Sequence, residues 1–277
     1  MNLAAARVYR CAMSLALANP VGDHLRAWRL RRRMSQLDLA GEAEISSRHL
    51  SFVETGRANP SRDMVLRLAE RLEVPMRERN VLLVAAGYAP VFPDSELASP
   101  ELTAVREAIE IILDGHRPYP AFALDRHWNV VASNGELPQL YDGVDPALLT
   151  PPVNVIRLSL SPSGLAPKIA NLGEWRGHVL ARLRRQVELT ADPVLIALMD
   201  EAKSFSVRLP AAPPSRHLSQ TEMLVPLRIR FGERLLSFLT TTLVFGTPLE
   251  VTLSELAVET FFPADRETAE AVKSLAG

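Results

Sequence analysis

Ser47, Arg48, Ser51 and Phe52 lie on the outer face of a short helical pattern that opens at Ser46 and stops at Gly56. Leu50 and Val53 take the core-facing side. Arginine carries a planar fork of N–H donors that matches O6 and N7 of guanine, and serine hydroxyls donate or accept beside it. A small basic bundle that presents such a helix is built to enter the major groove of duplex DNA. Within this set, Arg48 has the chemistry for a bidentate base contact.

Other chemistry finds less support. The histidines at 24, 49, 116, 127, 178 and 217 show no paired metal-ligand spacing, and Cys11 is the only cysteine. Neither a metal cluster nor an intrachain disulfide is expected. No P-loop or dinucleotide fingerprint occurs. Asp125-Arg126-His127-Trp128 puts polar groups in a row, but a hairpin turn explains the run better than a catalytic site. An enzyme is not expected, and no cofactor is required.

Five helices must position the outer face of residues 46–56. The first, 23–32, is amphipathic, with Leu25, Trp28 and Arg29 marking its two faces. Ser35 is a good N-cap for a second helix whose apolar residues are Leu37, Leu39, Ala40 and Ala43. Gly56 ends the third. Asn59-Pro60-Ser61 breaks the chain and caps a fourth, with Met64, Val65, Leu68, Ala69 and Leu72 as its apolar set. A fifth, 77–86, ends at Gly87. Arg67, Arg71, Arg77 and Arg79 are expected on solvated helix faces.

The chain has 277 residues, enough for two domains of roughly 100–200 residues each. Its hydrophobic content of 47% is that of a globular core, and no apolar run approaches the ~20 residues that span a bilayer. A cytoplasmic location without membrane contact is expected. Residues 1–19 read as a frayed amphipathic extension rather than a signal peptide. The net charge of −1 hides an asymmetry: residues 20–90 hold twelve Arg against nine Asp and Glu, and residues 91–277 hold seventeen basic against twenty-three acidic groups. A basic front and an acidic rear suit a DNA-binding head on a body that avoids phosphate.

Residues 25–74 resemble the lambda-repressor-like helix-turn-helix domain of the xenobiotic-response-element family of bacterial regulators. The matching residues are S-Q-x-x-L-A at 35–40, S-x-x-x-L at 46–50, E-x-G-R at 54–57 and P-S at 60–61. Glu44 departs from the pattern, because the family usually has glycine in that turn, where φ is often positive. The resemblance implies that Gln36 holds a phosphate and braces the recognition helix. It places Ser46, Ser47, Arg48, Ser51 and Phe52 at the DNA, and Arg57 and Asn59 at the backbone just past that helix. Glu54 is read as a structural partner within the domain.

Residues 89–100, with prolines at 90, 93 and 100, form a stiff connector, and the boundary is placed near Asp94. A helix over 99–116 follows. Segments 120–124 and 128–132 read as one hairpin, and 224–231 with 234–245 as a second. Helices are expected between them at 174–188 and 192–204, with an exposed loop at 209–219. This order gives an α+β layer on an antiparallel sheet.

The second half is similar to the MmyB-like ligand-binding domain found behind helix-turn-helix heads. The resemblance rests on PYPAFALDRHWNVVASN at 118–134, SPSGLAPKIANLGEW at 161–175 and FGTPLEVTLSELAVETFFPAD at 245–265. It implies a PAS-like fold, with a sheet wrapped by helices around an apolar pocket, and a small apolar ligand such as a fatty acid. Phe122, Leu124, Trp128, Val130, Leu158, Trp175, Leu183 and Phe238 are the wall candidates, and Arg157, Arg176 or His178 would meet a carboxylate.

The expected organisation is an extension at 1–19, an all-α helix-turn-helix domain at 20–90, a linker at 91–100 and an α+β PAS-like domain with an antiparallel sheet at 101–277. The expected partner is a palindromic double-stranded operator bound by a homodimer. The alternative is a second domain that serves only dimerisation or docking and holds no ligand.

Overall fold

The computed structural model describes residues 20–206, 225–246 and 248–276. The extension at 1–19, with Cys11, and the loop expected at 209–219 lie outside the described residues. The chain forms two compact units whose main parts are residues 20–94 and 95–276.

The first unit holds five helices: α1 (Val21–Arg31), α2 (Gln36–Glu42), α3 (Ser47–Glu54), α4 (Arg62–Arg71) and α5 (Met76–Ala85). Serines start three of them. Ser35, Ser46 and Ser61 each accept a backbone N–H of the first turn, at 3.1, 3.1 and 3.3 Å, which answers donors that a helix N-terminus leaves free. Asp38 returns the bond to the Ser35 N–H at 3.0 Å and completes a capping box. The first helix begins at Val21, two residues before the expected start. A Cβ on Gly22 would stand 2.4 Å from the Val53 carbonyl oxygen, so glycine there lets α1 seat directly on the end of α3.

The C-terminal ends obey one rule. After each helix a residue turns left-handed: Arg33, Glu44, Gly56, Glu73 and Gly87, with φ of 56°, 56°, 70°, 48° and 85°. The N–H of the next residue then reaches five residues back, as in Met34 to Arg29, Ile45 to Ala40 and Val74 to Ala69. This is the Schellman arrangement, and it satisfies carbonyls that the helix end would otherwise strand. Met34, Ile45, Val74 and Tyr88 follow four of these turns and pack on the apolar core built around Leu25, Leu39, Leu50, Leu68 and Leu83.

The second unit is a five-stranded antiparallel sheet in the order β2-β1-β5-β4-β3, with β1 (Ala121–Leu124), β2 (Val130–Ser133), β3 (Leu227–Phe231), β4 (Arg234–Val244) and β5 (Ala257–Pro263). Both expected hairpins are present. β5 was not foreseen, and it joins them into one sheet. The helices are α6 (Thr103–Gly115), α7 (Val155–Leu160), α8 (Leu172–Thr190), α9 (Pro193–Ser204), α10 (Val251–Glu255) and α11 (Arg266–Ala276). α6, α8 and α9 fall where helices were expected, whereas α7, α10 and α11 were not anticipated. Alternation along the strands sorts the two faces. Ala121, Ala123 and Val258 pack with Ile109 and Leu113 of α6. Phe122, Leu124, Glu259 and Phe261 turn to the opposite face, toward a cavity. No helix among the described residues is long and apolar enough to cross a membrane.

Glu44 occupies its left-handed turn with a side chain that disfavours it. Glu44→Gly should stabilise the head by about 1 kcal/mol. The check is hydrogen exchange, with the slowest α2 and α3 amides exchanging about fivefold more slowly.

Candidate nucleic-acid interface and ligand cavity

The outer face of α3 is held from behind by a buried ion pair. Arg29 donates to both carboxylate oxygens of Glu54, at 2.6 and 2.9 Å, and its remaining reach goes to the Met34 carbonyl at 2.9 Å. Gln36 donates its amide N–H to the same carboxylate at 2.8 Å. Glu54 is thus the structural partner expected. Arg29 belongs to the core side of α1, at 7% exposure, rather than marking a solvent face. Three consecutive helices are tied to one carboxylate, and the short span from Gln36 to Arg57 is fixed by it.

On that support the expected contact residues divide into two kinds. Ser47, Arg48, Arg57 and Asn59 are exposed, and their side chains face solvent. Ser46, Phe52 and Gln36 have work inside the domain. Ser46 caps α3. Phe52 is half-buried, with the Arg48 guanidinium 5.4 Å from its ring centroid, so it aims the arginine by a cation–π contact. Gln36 keeps one amide N–H for an outside acceptor, since Glu54 takes the other. Ser51 is half-buried, and its carbonyl accepts the Thr55 hydroxyl at 2.7 Å.

Two of the arginines expected on solvated faces are instead held. Arg77 meets Asp94 through two bonds of 2.6 and 3.0 Å. Arg79 donates to the Val74 carbonyl at 2.7 Å and lies over the Phe92 ring. Arg67 and Arg71 are exposed as expected.

The second unit holds a partly open cavity of about 110 Å³ between the sheet, α7 and α8. An apolar cavity of about 150 Å³ takes benzene, so these walls close around roughly five heavy atoms, and a longer molecule would extend through the open side. Phe122, Leu124, Trp128, Leu158, Trp175 and Phe238 line it, as the wall candidates required. Trp128 reaches it from the β1–β2 turn at φ 67°, rather than from the strand where it was expected. Asp125 holds that turn by accepting the His127 and Asn129 N–H groups at 2.8 and 2.9 Å. Both lining indoles have their N–H satisfied elsewhere: Trp128 donates to Gln186 at 2.6 Å and Trp175 to Ser159 at 2.8 Å. Their ring faces are left as apolar wall.

Val130 and Leu183 do not reach the cavity. Both belong to the packed cluster around it, Leu183 fully buried. The three expected carboxylate partners are also elsewhere. Arg176 donates to the carbonyls of Ala202, Lys203 and Phe205 and closes the C-terminal end of α9. Arg157 makes a forked pair with Glu201 on the surface. His178 stacks on Trp175, ring centroids 5.7 Å apart. Burial and then the charge of Arg182 hold its pKa below the usual histidine value.

The cation in the cavity wall is Arg182, which sequence reasoning missed. It pairs with Glu259, whose side chain is buried on β5, and donates to Thr242 Oγ1 at 3.0 Å. Thr242 in turn donates to Glu259 at 2.9 Å. The guanidinium lies 4.9 Å from the Trp128 ring centroid. A signal was available: Trp175, Val179 and Arg182 are spaced i, i+4, i+7, which puts an arginine on an apolar helix stripe. Glu259 follows from sheet register, for it stands opposite Phe122 on one side and Thr242 on the other.

Residues 105–275 match the MmyB-like transcription regulator ligand binding domain. The chain belongs to the MmyB-like family of transcription regulators. Residues 20–82 match a helix-turn-helix domain. The regulator is also 35% identical over 101 residues to uncharacterized HTH-type transcriptional regulators of Mycobacterium bovis and of two strains of Mycobacterium tuberculosis. That match covers 34% of this chain and 38% of each relative, so it spans well under half of their length.

Burial raises the Glu54 carboxyl, but hydrogen bonds from Arg29 and Gln36, with the attraction of Arg29 and Arg26, outweigh it and hold the pKa below its ordinary value. A depressed folded pKa means that the stability Glu54 contributes is present above the ordinary value of 4.5 and is lost as pH falls through the folded one. Glu54→Gln should therefore destabilise the head by about 3 kcal/mol at neutral pH. It should also flatten the acid-side loss, as read by urea unfolding across pH.

Proposed function

We propose that the protein is a sequence-specific DNA-binding transcription regulator whose second unit holds a small, mostly apolar molecule, a fatty acid being the class the family resemblance names. The observation that carries this reading is an exposed α3 face, Ser47 and Arg48 with Arg57 and Asn59 beyond, braced by a buried ion pair. The cavity walled by Phe122, Trp128, Trp175 and Phe238 supports the second half. A five-stranded antiparallel sheet with helices over an apolar cavity also supports the PAS-like reading of this unit.

One α3 face reads only a few base pairs. We therefore propose a homodimer on a palindromic operator, with half-sites about one helical turn apart or a multiple of it. The reading is of a regulator that acts on DNA without catalysing a reaction, and its setting is the cytoplasm. Ligand and operator binding are coupled only if the ligand binds two states of the protein with different affinity.

The test starts from selection of bound sequences out of a random duplex pool by the full-length protein. Arg48→Ala should then weaken binding to the selected duplex by about 1–3 kcal/mol per half-site and relax preference at one base pair. Full affinity and unchanged preference in that variant would overturn the assignment of α3. For the second unit, native mass spectrometry of the full chain should show a dimer with a stoichiometric adduct that leaves on denaturation. A dimer without an adduct favours a unit that serves dimerisation or docking alone.

A further inference from the structure

The cavity's charges are already balanced from within. Among the described lining residues, Arg182 and Glu259 are the only ones that carry charge, one of each sign, and they are paired with each other. Tyr141 also lines the space, but burial raises its pKa, so the phenol stays neutral. His178 behind the wall is held neutral by burial and by Arg182. Arg182 has further partners in Thr242 and the Trp128 ring.

We infer that this cavity selects a ligand with an uncharged polar head, such as an alcohol, an ester or a protonated acid, over an ionised carboxylate or an ammonium. The inference rests on the ligand-holding reading above and specifies its chemistry. An arginine serves as a carboxylate clamp when its charge is uncompensated. Here Glu259, on the central strand and 4% exposed, already supplies the countercharge. A second carboxylate would either share the guanidinium with Glu259, leaving a net negative charge against apolar walls, or strip Glu259, whose side chain is buried, of its partner. Like charges that close in low dielectric disfavour the ionised forms. An ammonium head fails by the mirror argument against Arg182. A neutral hydroxyl donates to Glu259 or accepts from Arg182, and a carbonyl accepts from Arg182, without disturbing the balance. The walls close around roughly five heavy atoms, and the rest of an eight-carbon chain extends through the open side.

The experiment is equilibrium dialysis of the full-length protein against 1-octanol, octanoate and octylammonium at pH 7.5. Octanol should bind at least tenfold more tightly than either ion. Glu259→Gln removes the countercharge, so octanoate should become the tightest of the three in that variant, while octylammonium weakens further. If that variant does not fold, the wild-type protein still decides the matter. Lowering the pH from 7.5 to 6.5 should improve octanoate binding by about tenfold, following its neutral fraction, with octanol unchanged. Wild-type preference for octanoate over octanol, or a folded Glu259→Gln protein with the wild-type ranking, overturns the inference and leaves the ligand-holding reading in place. Binding of none of the three to folded protein overturns that reading, and the inference falls with it.

Discussion

A carboxylate taken out of water must be met by donors, and each unit of this protein is organised around meeting one. Glu54 and Glu259 are both 4% exposed, and each faces an arginine from a distant part of the chain, 25 and 77 residues away. Arginine suits the task because its rigid fork meets two oxygens at once, which lysine's point charge does not. Such pairs add little net stability over an apolar substitute, yet breaking one strands a buried charge. The observed packing of α1, α2 and α3 satisfies Glu54, and α8 lies where Arg182 meets Glu259.

The two pairs produce opposite results from the same constraint. In the head, the ion pair is hidden behind α3, so the chemistry on the outer face is free of it. Ser47, Arg48, Arg57 and Asn59 keep their donors for an external partner, while Phe52 limits where Arg48 can swing. In the second unit, the ion pair is itself part of the wall. It makes one end of an apolar space polar without making it charged.

Much of this was legible because local rules were obeyed. Serine caps, the Gly56 and Gly87 stops and the period-two alternation of both hairpins are chemistry that a single residue announces. The misses share a cause: a residue whose type contradicts its place. β5 carries Glu259 on a buried face, which breaks the alternation that marks a strand. Arg176 and Arg182 sit on one helix six residues apart, about 120° around its axis by helical geometry. Arg176 is among the expected carboxylate partners, but of the two only Arg182 shares the stripe of Trp175 and Val179.

The cavity's construction ties its occupancy to the packing of the whole second unit. Its walls come from β1, the β1–β2 turn, β3, β4, β5, α7 and α8, elements that also contribute to the buried clusters of this unit. Side chains that face an empty space lack dispersion partners on that side. A molecule that fills it supplies those contacts to several elements together and stabilises the folded state by mass action. Because interiors are close-packed, that gain is not absorbed by one flexible side chain but spreads through neighbours that must fit around it. Trp128 is the most tightly held part of that wall, since its turn, its Gln186 bond and its contact with Arg182 together keep it in an unfavourable left-handed backbone.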